Sequence, residues 1–167
     1  MAAVGEWANA YLEQSRADLE GLRALQGVAP STAAMVAQMV LEKLAKAALL
    51  RQGAVQLAWA KTNHGAASRM VQVLRRQKSI LKPMGGPFAW KNALELVGAL
   101  ERAHPQLAGV NGPQLEYPWE DAQGRVCWPA EHFQLAKEVF GNPSSRAAVD
   151  LLRFIALLEQ RFDDIFA

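Results

Sequence analysis

The sequence holds a single cysteine, Cys127, which excludes an internal disulfide framework and any structural zinc site built on several thiolates. No base stands beside it in the sequence to activate it as a nucleophile. No apolar run approaches the ~20 residues needed to cross a bilayer, and Glu6 interrupts an N-terminus without a basic n-region or an apolar h-region. The expectation is a cytoplasmic protein with no membrane partner. Gly85-Gly86 lacks both the following lysine and the preceding strand of a phosphate-binding loop. Internal repeats, low-complexity tracts and strand-like alternation are also missing. The three histidines, His64, His104 and His132, show no ligand spacing on one helix, so no metal and no cofactor are expected.

One absence is regional. Between Lys43 and Leu94 there is no Asp or Glu, while ten basic residues fall in the same stretch. The rest of the chain holds eight basic and sixteen acidic residues, so a net charge of +2 conceals two blocks of opposite sign. Such a block is either an electrostatic footprint for phosphate-bearing ligands or a surface that docks internally against acidic helices. Arg69, Arg75, Arg76 and Lys78 also complement the dipole at the end of one predicted helix.

With 167 residues, 51% hydrophobic, the chain can bury roughly 70% of its unfolded surface as a single domain over residues 1–167. Apolar residues at three- and four-residue steps predict a helix from Val4 to Leu25, stopped by Gly27. A second follows Ala29-Pro30, capped by Ser31, carrying Met35, Val36, Met39, Val40, Leu44, Ala47 and Ala48 inward and stopped by Gly53. The short connection makes this pair antiparallel. Residues 54–61 are ambiguous between helix and loop. Thr62 or Asn63 caps a third helix through Ala67, Met70, Val71 and Leu74, ending near Ile80, and residues 82–87 read as a linker.

Trp90, Leu94, Val97 and Leu100 predict a fourth helix ending before Pro105, followed by a loop of about twenty residues. Pro129 opens a fifth helix through Phe133, Ala136 and Phe140. The last helix, after Asn142-Pro143-Ser144, carries Ala148, Leu151, Leu152, Ile155, Leu158, Phe162 and Ile165. The expected class is an all-α bundle of about five or six helices with an up-down start, one long loop before the last two helices, and no sheet.

The run Tyr11 to Leu19, paired with Gln38 to Leu50 and its Glu42-Lys43-x-x-Lys46-Ala47 core, resembles the HEPN domain, the helical "higher eukaryotes and prokaryotes nucleotide-binding" family. His64 falls where such domains often place a histidine, and Tyr117-Pro118 matches a dipeptide many of them carry. The resemblance covers about the first 75 residues plus that dipeptide. It implies a nucleotide- or RNA-binding or regulatory module, a homodimer, and a nucleotidyltransferase or other protein partner in a defence or toxin-antitoxin setting.

On this basis Lys43, Lys46, Lys61, His64, Arg69 and Arg75 are candidate nucleotide- or RNA-binding residues, together with Arg76, Lys78, Tyr117 and Trp119. Tyr117 and Trp119 either stack on a base or pin the long loop to the bundle. His64 either lines a polar site with Lys61 and Arg69 or occupies the first turn of its helix. His104 reads as a helix C-terminal residue facing the dipole.

The ribonucleases of the family carry an Arg-(4 to 6 residues)-His motif, and Arg125 and His132 meet that spacing. There the histidine would take a proton from an RNA 2′-hydroxyl while the arginine stabilised charge on the phosphate. Pro129 lies inside the interval, and Glu116 stands before Tyr117-Pro118 where many members have arginine. The alternatives are therefore a metal-independent ribonuclease using Arg125 and His132, and a structural protein–protein interaction module.

Overall fold

The computed structural model describes residues 3–76, 90–109 and 112–166. Helix α1 spans Val4–Leu25 and α2 spans Pro30–Arg51. The Glu6 carboxylate reaches back to the Ala3 N–H at 2.7 Å to close the start of α1. Past its end, Gly27 takes φ 72°, the left-handed conformation that releases the chain from a helix. The Gly27 N–H donates to the Phe140 carbonyl at 2.9 Å, tying this turn to a distant helix. Pro30 opens α2 as its first residue, and Ala29, not Ser31, is the N-cap; no side chain caps this end.

Two short helices follow, α3 at Leu57–Thr62 and α4 at Ala66–Arg76, so the ambiguous stretch is helical in its second half. Helix α5 spans Lys91–Arg102. The expected helix end near Ile80 and the linker at residues 82–87 lie outside the described residues.

The long loop is not free of structure. Trp119–Glu120 (β1) pairs antiparallel with Val126–Cys127 (β2), which corrects the expectation of no sheet. Asp121 builds the turn: its side chain accepts from the N–H groups of Gln123 and Arg125, and Gly124 at φ 75° reverses the chain. Strands of two residues carry a single alternation, too little for a period to register.

The expected fifth helix is two, α6 at Pro129–His132 and α7 at Gln134–Phe140, broken at Phe133, whose ψ of 85° is not helical. The last is also two. Helix α8 spans Arg146–Gln160, with Ser145 as N-cap accepting from the Ala148 N–H, and α9 spans Phe162–Phe166 after a break at Arg161. The described residues thus form an all-α bundle of nine helices, six of them seven residues or longer, in place of the expected five or six. Buried residues continue at helical spacing across each break, through Phe133, Ala136 and Phe140 and through Leu158, Phe162 and Ile165.

Helix α2 runs through the middle. Thirteen of its 22 residues are buried, and it touches α1, α4, α5 and α7. Arg51 at its end joins Asn9 of α1 at 3.1 Å and Asp163 of α9 at 3.2 Å. One cluster of buried side chains collects Leu12, Leu44, Met70, Leu100, Phe140, Phe154 and Phe166 from seven helices. No helix among the described residues is long and apolar enough to cross a membrane.

A Cβ on Gly27 would sit 2.9 Å from Pro143 Cγ, besides forcing a side chain into the left-handed region. Gly27→Ala is expected to cost about 1–2 kcal/mol from backbone conformation alone, and more from the clash with Pro143. Urea unfolding measures the loss, and an unchanged midpoint would contradict the tie between this turn and Pro143.

Candidate functional site

Because α2 is packed on most sides, polar residues on it stand out. Gln38, Glu42 and Lys46 are spaced four apart, one above another on a single face. Gln38 and Lys46 are each 4% exposed. Lys46 Nζ donates to Glu42 Oε1 at 2.6 Å and Gln38 Nε2 donates to Glu42 Oε2 at 2.9 Å. The Lys46 ammonium also lies 5.7 Å from the centre of the Tyr11 ring. Burial works to raise the Glu42 carboxyl, but the hydrogen bonds from Lys46 and Gln38 and the nearby positive charge outweigh it and hold its pKa below the usual value. Burial first, and Glu42 second, push the Tyr11 hydroxyl upward.

Two histidines from other elements close over this carboxylate. His64 sits in the turn between α3 and α4, which Asn63 shapes by accepting the Gly65 N–H. Its Nδ1 lies 3.2 Å and 3.3 Å from the two Glu42 oxygens. A carboxylate only accepts, so Nδ1 carries a proton, and in the neutral form of the ring Nε2 keeps the lone pair. His104 lies just past α5 and stacks on His64, ring centres 4.1 Å apart and planes 18° apart. The Gln106 N–H donates to His104 Nδ1 at 3.2 Å, which places the proton of the neutral ring on Nε2. Burial first, and repulsion from His64 in its protonated form second, lower the His104 pKa. This corrects the reading of His104 as a dipole-facing residue: it is buried and turned toward α2. Both rings, Glu42, Gln38 and Lys43 line a cavity of about 310 Å³ with Met35, Met39 and Glu116.

Glu42, His64 and His104 bring potential ligand atoms within 4.8 Å of one another, a juxtaposition their sequence positions do not suggest. The arrangement does not suit a metal ion. A metal lies about 2.0–2.1 Å from each nitrogen and near the plane of each ring, whereas these planes are stacked and nearly parallel. The His104 lone pair is occupied by Gln106, and the Lys46 ammonium already neutralises Glu42.

The acid-free block is largely consumed by the fold. Lys43 pairs with Asp18, Lys46 with Glu42, Arg51 with Asp163 and Lys91 with Glu95. Lys61 lies over the Trp7 ring at 4.1 Å, and Arg69 lies over Trp59 at 5.0 Å while donating to the Ala54 carbonyl. His64 therefore does not share a site with Lys61 and Arg69. Lys78 lies outside the described residues. Arg76 is exposed at the end of α4.

Arg75 differs from the paired cations. With Arg102 of α5 it lines a cleft of about 350 Å³ between α4 and α5, whose other walls include Ser68, Gln72, Gly98 and Glu95. Neither arginine has a carboxylate partner among the described residues. Beside this cleft the buried Glu101 accepts the Ser68 N–H at 3.0 Å and so caps α4 from the neighbouring helix. Arg102 was missed by the sequence reading because it falls beyond the acid-free block.

The remaining candidates lie apart from both cavities. Trp119 is 7% exposed and belongs to the core, so its ring pins the hairpin and is not open to a base, while Tyr117 is 59% exposed. Arg125 stands on the hairpin and is held by Asp121, with Nε at 2.8 Å and Nη2 at 2.7 Å from the same carboxylate oxygen. His132 packs edge-on against Trp128 at 4.4 Å, and its Nδ1 accepts the Trp128 N–H at 3.2 Å. Arg125 and His132 thus have separate partners, and no hydrogen bond joins them.

No protein-family model, curated protein or solved structure matches this chain.

Removing Lys46 takes the cation from the part-buried Glu42 and leaves it only Gln38 and His64. Lys46→Met is expected to destabilise the protein by about 3–5 kcal/mol, and adding Glu42→Leu should recover most of that loss. Chemical denaturation of the single and double variants checks both. Acid should weaken the fold in two windows. Below about 6.5, the usual His104 value, the unfolded chain gains a proton that folded His104 resists, so stability falls. Below the usual Glu42 value of 4.5, stability from the depressed Glu42 carboxyl is lost as pH falls through its folded pKa. His104→Phe should flatten the first window and leave the second, measured as unfolding midpoint against pH.

Proposed function

We propose that the chain is a nucleotide- or RNA-binding module whose phosphate contacts come from the α4–α5 cleft. The observation that carries this reading is the pairing pattern of its cations. Four of the candidate basic residues from the acid-free block are committed to carboxylates or aromatic rings, while Arg75 and Arg102 face one cleft without a carboxylate partner among the described residues. Arginine suits this role, since its planar fork matches two phosphate oxygens at once. Ser68 and Gln72 add neutral polar groups on the same wall, and exposed Arg76 extends the cationic edge.

The geometry gives no support to cleavage by Arg125 and His132. The Arg125 guanidinium is occupied by Asp121, and the lone pair that His132 would use as a base is already accepting the Trp128 N–H.

Binding of a single-stranded RNA should weaken with salt, with a log–log slope of about −2 for three phosphate contacts. Arg75→Ala and Arg102→Ala should each reduce the magnitude of the slope by about 0.7. Fluorescence anisotropy across a salt series measures both. Absence of binding at low salt, or a slope unmoved by either substitution, would remove the cleft from consideration.

A further inference from the structure

The cavity under the histidine pair has no assigned occupant, and its hydrogen-bonding character is unusual. With Nδ1 donating to Glu42, the neutral His64 ring presents Nε2 as an acceptor, and with Nδ1 accepting from Gln106, the neutral His104 ring presents Nε2 as a donor. Neither Nε2 has a hydrogen-bond partner among the described residues, and both rings line the same cavity. The two rings, with centres 4.1 Å apart, thus carry one acceptor and one donor at the same cavity. Met35 and Met39 supply an apolar, adaptable wall.

We propose that this cavity binds an uncharged planar heterocycle through one N–H donor and one neighbouring carbonyl acceptor, as presented by the imide edge of a uracil ring. The N–H would donate to His64 Nε2 and the carbonyl would accept from His104 Nε2. The ring would lie against the methionines. The volume of about 310 Å³ is at the small end of the range for small-molecule sites. An anion is disfavoured, because Glu42 and Glu116 line the cavity. Lys46 already neutralises Glu42, so a cation would meet only the Glu116 carboxylate, with Lys43 in the same wall opposing it. A lone hydroxyl would satisfy both nitrogens but leave the methionine wall uncovered. The choice of a nucleobase as the heterocycle rests on the nucleotide- or RNA-binding reading above; the donor and acceptor pair does not.

The test uses uridine, which carries no phosphate, with the intact protein. Uridine should shift the side-chain nitrogen resonances of His64 and His104 saturably, and raising the salt should leave its affinity unchanged. 3-Methyluridine, which lacks the N–H, should bind roughly tenfold more weakly or worse. His104→Phe keeps a ring against His64 but loses the donor, and a similar drop is expected once thermal unfolding shows the variant folded. The comparison of uridine with its methylated form decides the matter on the unaltered protein even if that variant does not fold. No saturable shift at millimolar uridine, or equal binding of the two nucleosides, would overturn the proposal.

The outcome is separable from that of the cleft. Arg75→Ala and Arg102→Ala should weaken RNA and leave uridine untouched, so a failed uridine titration with salt-dependent RNA binding removes only the cavity. Uridine binding without RNA binding would remove only the cleft.

Discussion

A charge pair on the central helix, its lysine buried and its glutamate part-buried, organises the rest of the structure. Glu42 and Lys46 sit on a helix that the fold surrounds, where two charges lose their hydration and regain it only through close, well-directed partners. The surroundings meet that demand. Gln38 donates to the second carboxylate oxygen, His64 approaches both oxygens, and the Tyr11 ring lies near the ammonium. An apolar pair of similar volume would serve stability as well or better. The pair is therefore better understood through what it fixes, namely the orientation and tautomer of His64, which in turn stacks on His104.

The same region sets where a ligand can be held. His64 precedes α4 and Ser68 lies in its first turn, while Arg102 ends α5 and His104 follows it. Two cavities of different character therefore flank the contact between α4 and α5: one lined by two imidazoles and two methionines with Glu42, Lys43 and Glu116, the other by two arginines with Glu95. The buried Glu101 joins the two helices there by capping α4. A helix start and a helix end held together in this way position both walls without relying on the long loop, apart from Glu116 at the edge of the first cavity.

Much of the framework was legible in the sequence. The extents of α1 and α2 and their stops, with Gly27 and Gly53 in the left-handed conformation, follow from local chemistry that acts over a few residues, whereas α2 starts earlier than a Ser31 cap implies because Pro30 itself opens it. The breaks at Phe133 and Arg161 were not legible, since an apolar stripe continues through each and periodicity reports a face, not continuity. The hairpin at Trp119 was hidden by its two-residue strands, although Asp121 and Gly124 are the turn residues that announce it. At the site, His64 was marked but its partners were not. His104 comes from forty residues further on, and only the packing of α5 against α2 and α4 brings it over Glu42. A signal was present in Gln38, Glu42 and Lys46 at four-residue spacing, because three polar residues on a face of an otherwise apolar helix imply either exposure or a satisfied interior network. The surrounding alanines and leucines favour the second.

The charge block illustrates the same limit from the other side. Ten cations without an intervening acid look like a footprint when only the chain order is known, but a charge finds its partner across space. Asp18 reaches Lys43 and Asp163 reaches Arg51 from the two ends of the chain, and tryptophan rings cover two more cations. What survives is smaller and differently placed: Arg75 from inside the block and Arg102 from outside it. With a net charge of only +2, the protein has little long-range field with which to steer a polyanion. On the proposed reading selectivity comes from short-range contacts, with Arg75 and Arg102 gripping one phosphate group and the separate histidine–methionine cavity adding discrimination that salt does not erase.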